Sequence, residues 1–421
     1  MTAVLDGRER GSALGIVVAV VLVGVNLRAA LTGVGALLPA VSAETGLSSA
    51  WGGVLTALPL VVFAVLSPLV ARALRHGAAR LVAPAMAGLV AGLLIRSAPG
   101  LPLLFAGTIV LSAAVAVANV LLPALVRGSV SGGRIAGVTA AYVTAMTAAA
   151  ATASGTAVPL SEHVPGGWRT VLAGWALPAA VAATVWWLRR PGAVAEPGAV
   201  AEPVVVAEPV AVAEPPARVR IPWRSPLAWQ VSLFMGLQSL GFYATISWLP
   251  SILRDNGISA RDAGFYLFGF QVLGLLALNG VPVLLRRARA DPRLLAAAAS
   301  VLDAGGFLLL ALAPRLAPVA VVAVGLGAGV CLMLALSFQS ERAAGEAEAA
   351  ALAGMAQGIG YLVAAVGPLL LGLLHGALGG WTAALTVLAL LTVLQVAMGF
   401  GAGRPATTPA LSLPSGVRAG S

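Results

Sequence analysis

The sequence predicts an all-α integral membrane protein with twelve transmembrane helices, arranged as two pseudo-symmetric six-helix bundles. Three observations support this fold class. Of the 421 residues, 59% are hydrophobic and only 10% are charged, whereas charged residues make up roughly 25% of a soluble domain. The apolar residues fall into twelve runs, each long enough for a helix to cross a hydrocarbon core of about 30 Å. Gly, Pro and Trp motifs at the ends of the first six runs recur in the last six.

Each apolar run is interpreted as a helix because backbone that faces lipid must satisfy its own hydrogen bonds. The runs are separated by short segments that contain Gly, Pro, Ser or Arg. Their approximate limits are 13–41, 50–74, 78–97, 102–126, 135–160, 168–188, 227–253, 263–285, 293–313, 317–340, 349–375 and 380–400.

The longest interruption, at about 190–224, divides the spans into six and six. The tripeptide Ala-Glu-Pro recurs every six residues there, with its acids at Glu196, Glu202, Glu208 and Glu214. Such a composition predicts a disordered, semi-extended spacer. The predicted organisation is a cytoplasmic N-terminal tail (1–12), an N-terminal bundle (13–189), this linker (190–224), a C-terminal bundle (225–401) and a cytoplasmic C-terminal tail (402–421).

The two predicted bundles share motifs at a nearly constant offset. The Leu-Pro, Gly, Ser and Gly residues of 38–53 match those of 249–264 at an offset of 211. The Gly-Gly-Trp tripeptide at 166–168 matches 379–381 at an offset of 213. Because both sets fall at equivalent helix ends, we infer a parallel repeat whose first and seventh spans both line a central cavity.

The arginine distribution predicts the orientation in the membrane. All 25 basic residues are Arg, of which nineteen fall in segments on the side of the N-terminus, five, including Arg96, on the other side, and Arg28 within a span. Under the positive-inside rule, both termini are therefore cytoplasmic in the cell (plasma or inner) membrane. This topology accounts for the net charge of +10, so no nucleic-acid partner is expected.

Arg28 lies near the middle of the first span, where an arginine costs at least ~2.5–3.5 kcal/mol on insertion scales. The nearest acids in the sequence, Glu9 and Glu44, lie more than ~20 Å away along the helix. Arg28 must therefore face a wet cavity, a partner on another helix or a bound anion. Either it locks the fold by hydrogen-bonding helix ends, or it contacts or gates a solute.

Mid-span polar residues on the cavity helices are the candidate substrate-binding residues. For each one the alternative is a hydrogen bond between helices. Together they provide amides, phenols and one cation, which suits a small polar or anionic solute. The candidates are Asn26, Arg28, Thr32, Asn119, Tyr142, Gln238, Tyr243, Gln271, Gln357 and Tyr361.

Asp303 is the one carboxylate deep in a predicted span. It is a candidate for coupling transport to protons, and the alternative is a neutral Asp bonded to a neighbouring helix. One cysteine and three histidines in scattered positions give no metal-ligand spacing. We therefore expect no metal, no cofactor and no enzymatic activity, and no obligate protein partner is evident.

The motif from Asn26 to Gly35, with Leu55–Pro59 and Met355–Gly360, resembles the cyanate-permease and 2-nitroimidazole-transporter branch of the major facilitator superfamily. This resemblance implies a bacterial secondary transporter that works by alternating access. The implied solutes are cyanate, nitrate or nitrite, or a nitroimidazole-like compound. The alternatives are a broad-specificity efflux transporter of the same superfamily and a transporter-like solute sensor.

The superfamily's cytoplasmic loop motif between spans two and three is only partly present. Arg72, Gly77 and Arg80 match it, but Ala71 stands where the resemblance leads us to expect Asp.

Overall fold

The computed structural model describes residues 2–73, 78–130, 132–189, 222–342 and 346–404. These residues form α-helices joined by short turns, with no strand among them. The helices are α1 (Thr2–Thr45), α2 (Ser49–Ala73), α3 (Ala78–Ser97), α4 (Leu101–Ser129), α5 (Gly132–His163), α6 (Gly167–Gly174), α7 (Ala176–Leu188), α8 (Pro226–Asp255), α9 (Ala260–Ala288), α10 (Pro292–Leu312), α11 (Ala317–Glu341), α12 (Glu346–Leu378) and α13 (Thr382–Ala402).

The prediction of twelve transmembrane helices is confirmed. Eleven of the predicted runs each lie in one helix, and the sixth is formed by α6 and α7, which are separated by one residue, Trp175. Residues 2–12, predicted to be a tail, continue α1 as helix. The sequence prediction followed apolarity, whereas a helix can extend beyond the apolar run wherever no residue stops it.

Among the described residues, ten helical segments are long and apolar enough to cross a membrane, and α5 and α8 are not among them. Both carry Ser, Thr and Gly residues that lower their mean hydropathy. In α8, twenty of the thirty residues are buried. Helix α8 tolerates its polar residues because most of it packs inside the protein rather than against lipid.

The loops after α1 and α8 show the internal repeat directly. Gly46 and Gly257 occupy equivalent positions, and both have positive φ, 70° and 85°. Glycine has no Cβ and adopts this left-handed conformation without strain. The backbone N–H of Trp51 donates to the Ser48 hydroxyl, and that of Asp262 donates to the Ser259 hydroxyl. Each serine therefore caps the start of the helix that follows its loop.

The repeat extends to two tryptophans near the same face of the molecule. The indole Nε1–H of Trp168 donates to a Glu44 carboxylate oxygen at 2.6 Å, and that of Trp381 donates to Asp255 at 2.7 Å. The acids are related by the offset of 211 and the tryptophans by 213. The two bundles are therefore pseudo-symmetric in side-chain contacts as well as in helix order.

The apolar core joins the two bundles mainly on one face. Towards the C-terminal end of α1, a single cluster contains Leu37, Ala157, Leu249 and Leu371, which come from both bundles. Towards the opposite face, each bundle has its own cluster of described residues. The cluster of the N-terminal bundle also includes two alanines of α12, Ala364 and Ala365. The bundles are thus packed together at the face near the C-terminal end of α1, here named the closed face.

Parts of the predicted organisation lie outside the described residues. These are Gly77 of the loop motif, the linker from 190 to 221 and the tail from 405 onwards. Arg72 belongs to the last turn of α2, and Arg80 is exposed in the first turn of α3.

Candidate substrate-binding cavity

A cavity of about 380 Å³ lies between the two bundles. Helices α1 to α5 line it from the first bundle, and α8, α11 and α12 line it from the second. Among the described residues that line the cavity there is no Asp or Glu, but there are two arginines, Arg28 and Arg96. The lining is therefore cationic and otherwise composed of apolar, hydroxyl and amide groups.

Glycines allow the bundles to meet at the closed end of the cavity. Gly35 of α1 lies so close to α8 that an added Cβ would collide with the Ile246 carbonyl oxygen. At Gly53 of α2, an added Cβ would lie 2.7 Å from the Pro368 carbonyl oxygen of α12. These contacts let helix backbones approach directly, as small residues commonly do between membrane helices.

Polar contacts also connect the bundles at the closed face. The Ser49 hydroxyl lies 3.1 Å from His375 Nδ1, and Arg261 lies 3.8 Å from the Glu162 carboxylate. Because α2 is equivalent to α9 and α5 to α12, these two contacts are pseudo-symmetric counterparts. The described contacts between bundles therefore close one end of the cavity, and the other end opens towards the N-terminal end of α1.

Arg28 lies in the middle of α1 and lines the cavity. Its side chain is half-buried, and its guanidinium carbon lies 5.4 Å from the ring centroid of Phe242 on α8. A cation over a ring face at this distance gains roughly 0.5–2 kcal/mol. Within the described part of the chain, the guanidinium forms no ion pair or hydrogen bond. Its donors are therefore available to a solute.

Thr32 lies one turn after Arg28 on the same face of α1. Its hydroxyl oxygen lies 3.2 Å from the Arg28 carbonyl and 3.1 Å from the Ala150 carbonyl of α5, either of which can accept its proton. Thr32 thus contributes to the packing of α1 against α5 while it also lines the cavity.

Aromatic side chains form much of the remaining cavity wall. Phe63 and Tyr361 pack edge to face with centroids 5.7 Å apart, and Phe242 and Tyr243 do so at 5.3 Å. These pairs come from α2 and α12 and from α8, so they place rings from both bundles around one volume. Three further candidates from the sequence also line the cavity, namely Asn119, Tyr142 and Gln357.

Three of the ten candidate residues are not brought to the cavity. Asn26 donates to the Leu22 and Pro178 carbonyls, and Gln238 donates to the Ser239 hydroxyl within α8. Gln271 donates to the Ser154 hydroxyl across the bundles at 2.9 Å. These amides are buried and serve packing, because burial of an amide requires a hydrogen-bond partner and a nearby helix supplies it.

Asp303 is buried in α10 against α11, outside the cavity. Its Oδ1 atom has no hydrogen-bond partner among the described residues. Gly327 of α11 makes room for the carboxyl group, since a Cβ there would collide with it. The structure therefore places this acid between two helices of one bundle.

Arg96 was counted among the outer-loop arginines, although it falls at the end of the predicted third span, 78–97, and the structure contradicts the loop assignment. It occupies the last turn of α3, is 1% exposed and lines the cavity. Arginines at helix ends usually extend to the membrane interface, so the sequence favoured an exposed position. The burial follows from the way α3 packs, which no local sequence signal reports.

The sequence profile described as "Major Facilitator Superfamily" matches residues 20–368 of the chain. The chain is 36% identical over 405 residues to the 2-nitroimidazole transporter of Escherichia coli (strain K12), covering 95% of this chain and 97% of that protein. It is 29% identical over 371 residues to the cyanate transport protein CynX of the same organism, with coverage of 86% and 90%. A putative anionic 4-hydroxy-benzoate permease of Thauera aromatica is 46% identical over 105 residues, which cover 25% of this chain and 64% of that protein.

Among solved structures, the fold is similar to that of a bacterial homologue of the human lysosomal transporter Spinster, in an inward-facing and unoccupied conformation. The TM-score is 0.76 at 14% sequence identity, and the match covers 93% of this chain and 97% of the other.

Proposed function

Because the chain belongs to the major facilitator superfamily of membrane transporters, we propose that it moves a small planar anion or nitro compound across the membrane by alternating access. The halves of such transporters rock around a site near the middle of the membrane. Arg28 is the observation that carries this proposal, because it is a half-buried cation between the two bundles whose donors have no partner among the described residues.

The attraction between Arg28 and a bound anion is large enough to shift the balance between two conformations. At an effective dielectric constant of 20 and a separation of ~4 Å, two unit charges attract by ~4 kcal/mol before desolvation. A solute that makes this contact in one conformation more strongly than in another shifts the balance between them. The charge on Arg28 therefore serves both recognition and the transport cycle.

The size and walls of the cavity favour a ring-sized solute. Its volume of about 380 Å³ falls within the range of roughly 300–1,000 Å³ that is usual for small-molecule sites. A triatomic anion such as cyanate would fill only a small part of it. Phe63, Phe242, Tyr243 and Tyr361 offer ring faces and edges to a planar solute. Two of the relatives are named for ring compounds, a nitroimidazole and a hydroxybenzoate.

The side on which the cavity opens, together with the predicted topology, indicates which conformation of the transport cycle this is. The cavity opens towards the N-terminal end of α1, and the arginine distribution predicts that this end is cytoplasmic in the cell membrane. The structure then corresponds to an inward-open state. Asp303 has no contact with the cavity, so we assign it a structural role rather than proton coupling.

Solute profiling in proteoliposomes tests the proposal. Uptake and counterflow are measured with 2-nitroimidazole, 4-hydroxybenzoate, nitrate, cyanate and a set of uncharged drug-like compounds. Each solute is tested with and without a pH gradient, for the parent protein and for Arg28→Ala. We expect transport of the ring compounds by the parent protein and none by Arg28→Ala. Transport of uncharged drug-like compounds by both proteins, with no transport of the anions, would favour a broad-specificity exporter instead.

A further inference from the structure

Arg96 is buried with only part of its guanidinium satisfied. Its Nη1–H donates to the Ala30 carbonyl of α1 at 2.8 Å. Its Nε and Nη2 groups are buried and have no hydrogen-bond partner among the described residues. A buried cation without a counter-charge is costly, because neither water nor an anion compensates for its lost hydration.

The packing of α3 on α4 sets the position of this side chain. Gly107 of α4 lies against the Arg96 backbone so closely that an added Cβ would collide with it. This approach brings the last turn of α3 near α1, where Ala30 accepts the hydrogen bond. Ala30 lies two residues after Arg28, in the direction of the closed end of the cavity. Both guanidinium groups therefore serve one cavity, from different helices.

The two unpartnered groups of Arg96 have a specific shape. In a guanidinium, the Nε–H and one Nη2–H lie side by side and point in the same direction, while Nη1 is on the other side. This parallel pair matches two oxygens of one planar oxyanion, which it binds bidentately. The Nη1 contact with Ala30 leaves that pair free and fixes the plane of the group.

We propose that Arg96 is a second anion contact of the cavity, where its Nε and Nη2 bind both oxygens of a carboxylate or nitrate-like group. This inference rests on the proposed function and deepens it, since it specifies a planar oxyanion rather than any anion. The oxyanion lies at the closed end, and the remainder of the solute extends towards Arg28 and the aromatic side chains. A linear anion such as cyanate offers no second oxygen to the pair and binds more weakly.

Equilibrium binding of sodium benzoate, sodium nitrate and sodium cyanate to the purified full-length protein tests this proposal. The variants are Arg96→Lys, which keeps the charge without the fork, Arg96→Met, which removes both, and Arg28→Ala. Arg254→Met is the matched control, because Arg254 is an exposed arginine at the end of α8. Thermal unfolding of each protein without added anion is measured in parallel.

The parent protein and the control should prefer benzoate and nitrate to cyanate. In Arg96→Lys, benzoate affinity should fall by about tenfold or more while cyanate affinity changes little, because lysine lacks the planar fork. Arg96→Met should lose affinity for all three anions. Its unfolding temperature without anion should not fall, because the unpaired buried charge has been removed.

Several outcomes would overturn the inference. If Arg96→Lys keeps the parent's preference for benzoate over cyanate, Arg96 does not bind the oxyanion bidentately. This variant still tests the proposal if Arg96→Met fails to fold. If Arg28→Ala loses anion binding while Arg96→Met retains it, Arg96 is structural and the proposed function stands. If both retain it, or if the parent protein binds none of the three anions, the anion site at Arg28 and Arg96 falls, and with it the part of the proposed function that concerns anions.

Discussion

Gly35→Ala should shift the protein away from the conformation seen here. Gly35 is in backbone contact with α8, and an added Cβ would collide with the Ile246 carbonyl oxygen. Carbonyl oxygens of a helix cannot move aside as the end of a flexible side chain can, so the added methyl group must separate α1 from α8. Overpacking of this kind costs typically ~1–3 kcal/mol.

This overpacking cost applies only to the conformation in which α1 and α8 touch, which is the one whose closed face is sealed. If the alternative state separates them, the whole cost acts on the equilibrium, and a coupling of ~1–3 kcal/mol changes the ratio of states by roughly 5- to 150-fold. Gly35→Ala should therefore populate a state in which the closed face has opened.

Spin-label distances across the closed face measure this shift. The labels are placed at Ala43→Cys of α1 and Ala377→Cys of α12, both exposed positions near that face. The native cysteine, Cys331, is buried and should not react with the label. The parent protein should give mainly a short distance, and Gly35→Ala should add a longer one that dominates the distribution.

Gly137→Ala is the matched control, because a Cβ at Gly137 of α5 would meet nothing within 4 Å. It should leave the distance distribution unchanged. A distribution for Gly35→Ala that is identical to that of the parent protein would refute the argument, since the bundles would then accommodate the methyl group without separating.

Asp303→Asn should retain pH-driven transport, because the carboxyl group is buried away from the cavity and Asn preserves its shape. Loss of pH-driven accumulation while counterflow remains intact would instead support a role of Asp303 in proton coupling. Deletion of residues 197–209 should leave transport almost unchanged, as expected of a flexible spacer, whereas a large loss at normal expression would show that the segment docks. Reporter fusions at the C-terminus and within 195–215 should both read cytoplasmic, and an external signal at either site would contradict the predicted topology.

The helices were predictable from the sequence because each is encoded locally. A run of apolar residues bounded by Gly, Pro or Arg gives the position of a helix in the membrane whatever its neighbours are. The repeat was also visible, since loops such as those at Gly46 and Gly257 need the same backbone conformation in both halves. The break at Trp175 within the sixth span carried no comparable signal.

The site was predictable only in part, because it depends on how each helix is rotated about its axis. Arg28 was identified because its position in the membrane demands compensation. By contrast, Gln238 and Gln271 are polar and central in their helices, yet their hydrogen bonds go to α8 and α5 rather than to the cavity. Arg96 shows the opposite error, since only the packing of α3 on α4 reveals that a helix-end arginine lines the cavity.

The central claim is that Arg28 provides the electrostatic contact for the solute. Equilibrium binding of 4-hydroxybenzoate and 2-nitroimidazole to purified parent protein, Arg28→Lys and Arg28→Ala tests it most directly. Lysine keeps the charge but lacks the planar fork, so Arg28→Lys should bind measurably but more weakly than the parent protein. Arg28→Ala should fold and insert yet show no measurable binding. Equal affinity of Arg28→Ala and the parent protein would contradict the claim, because Arg28 would then serve only the structure or the gating of the cavity.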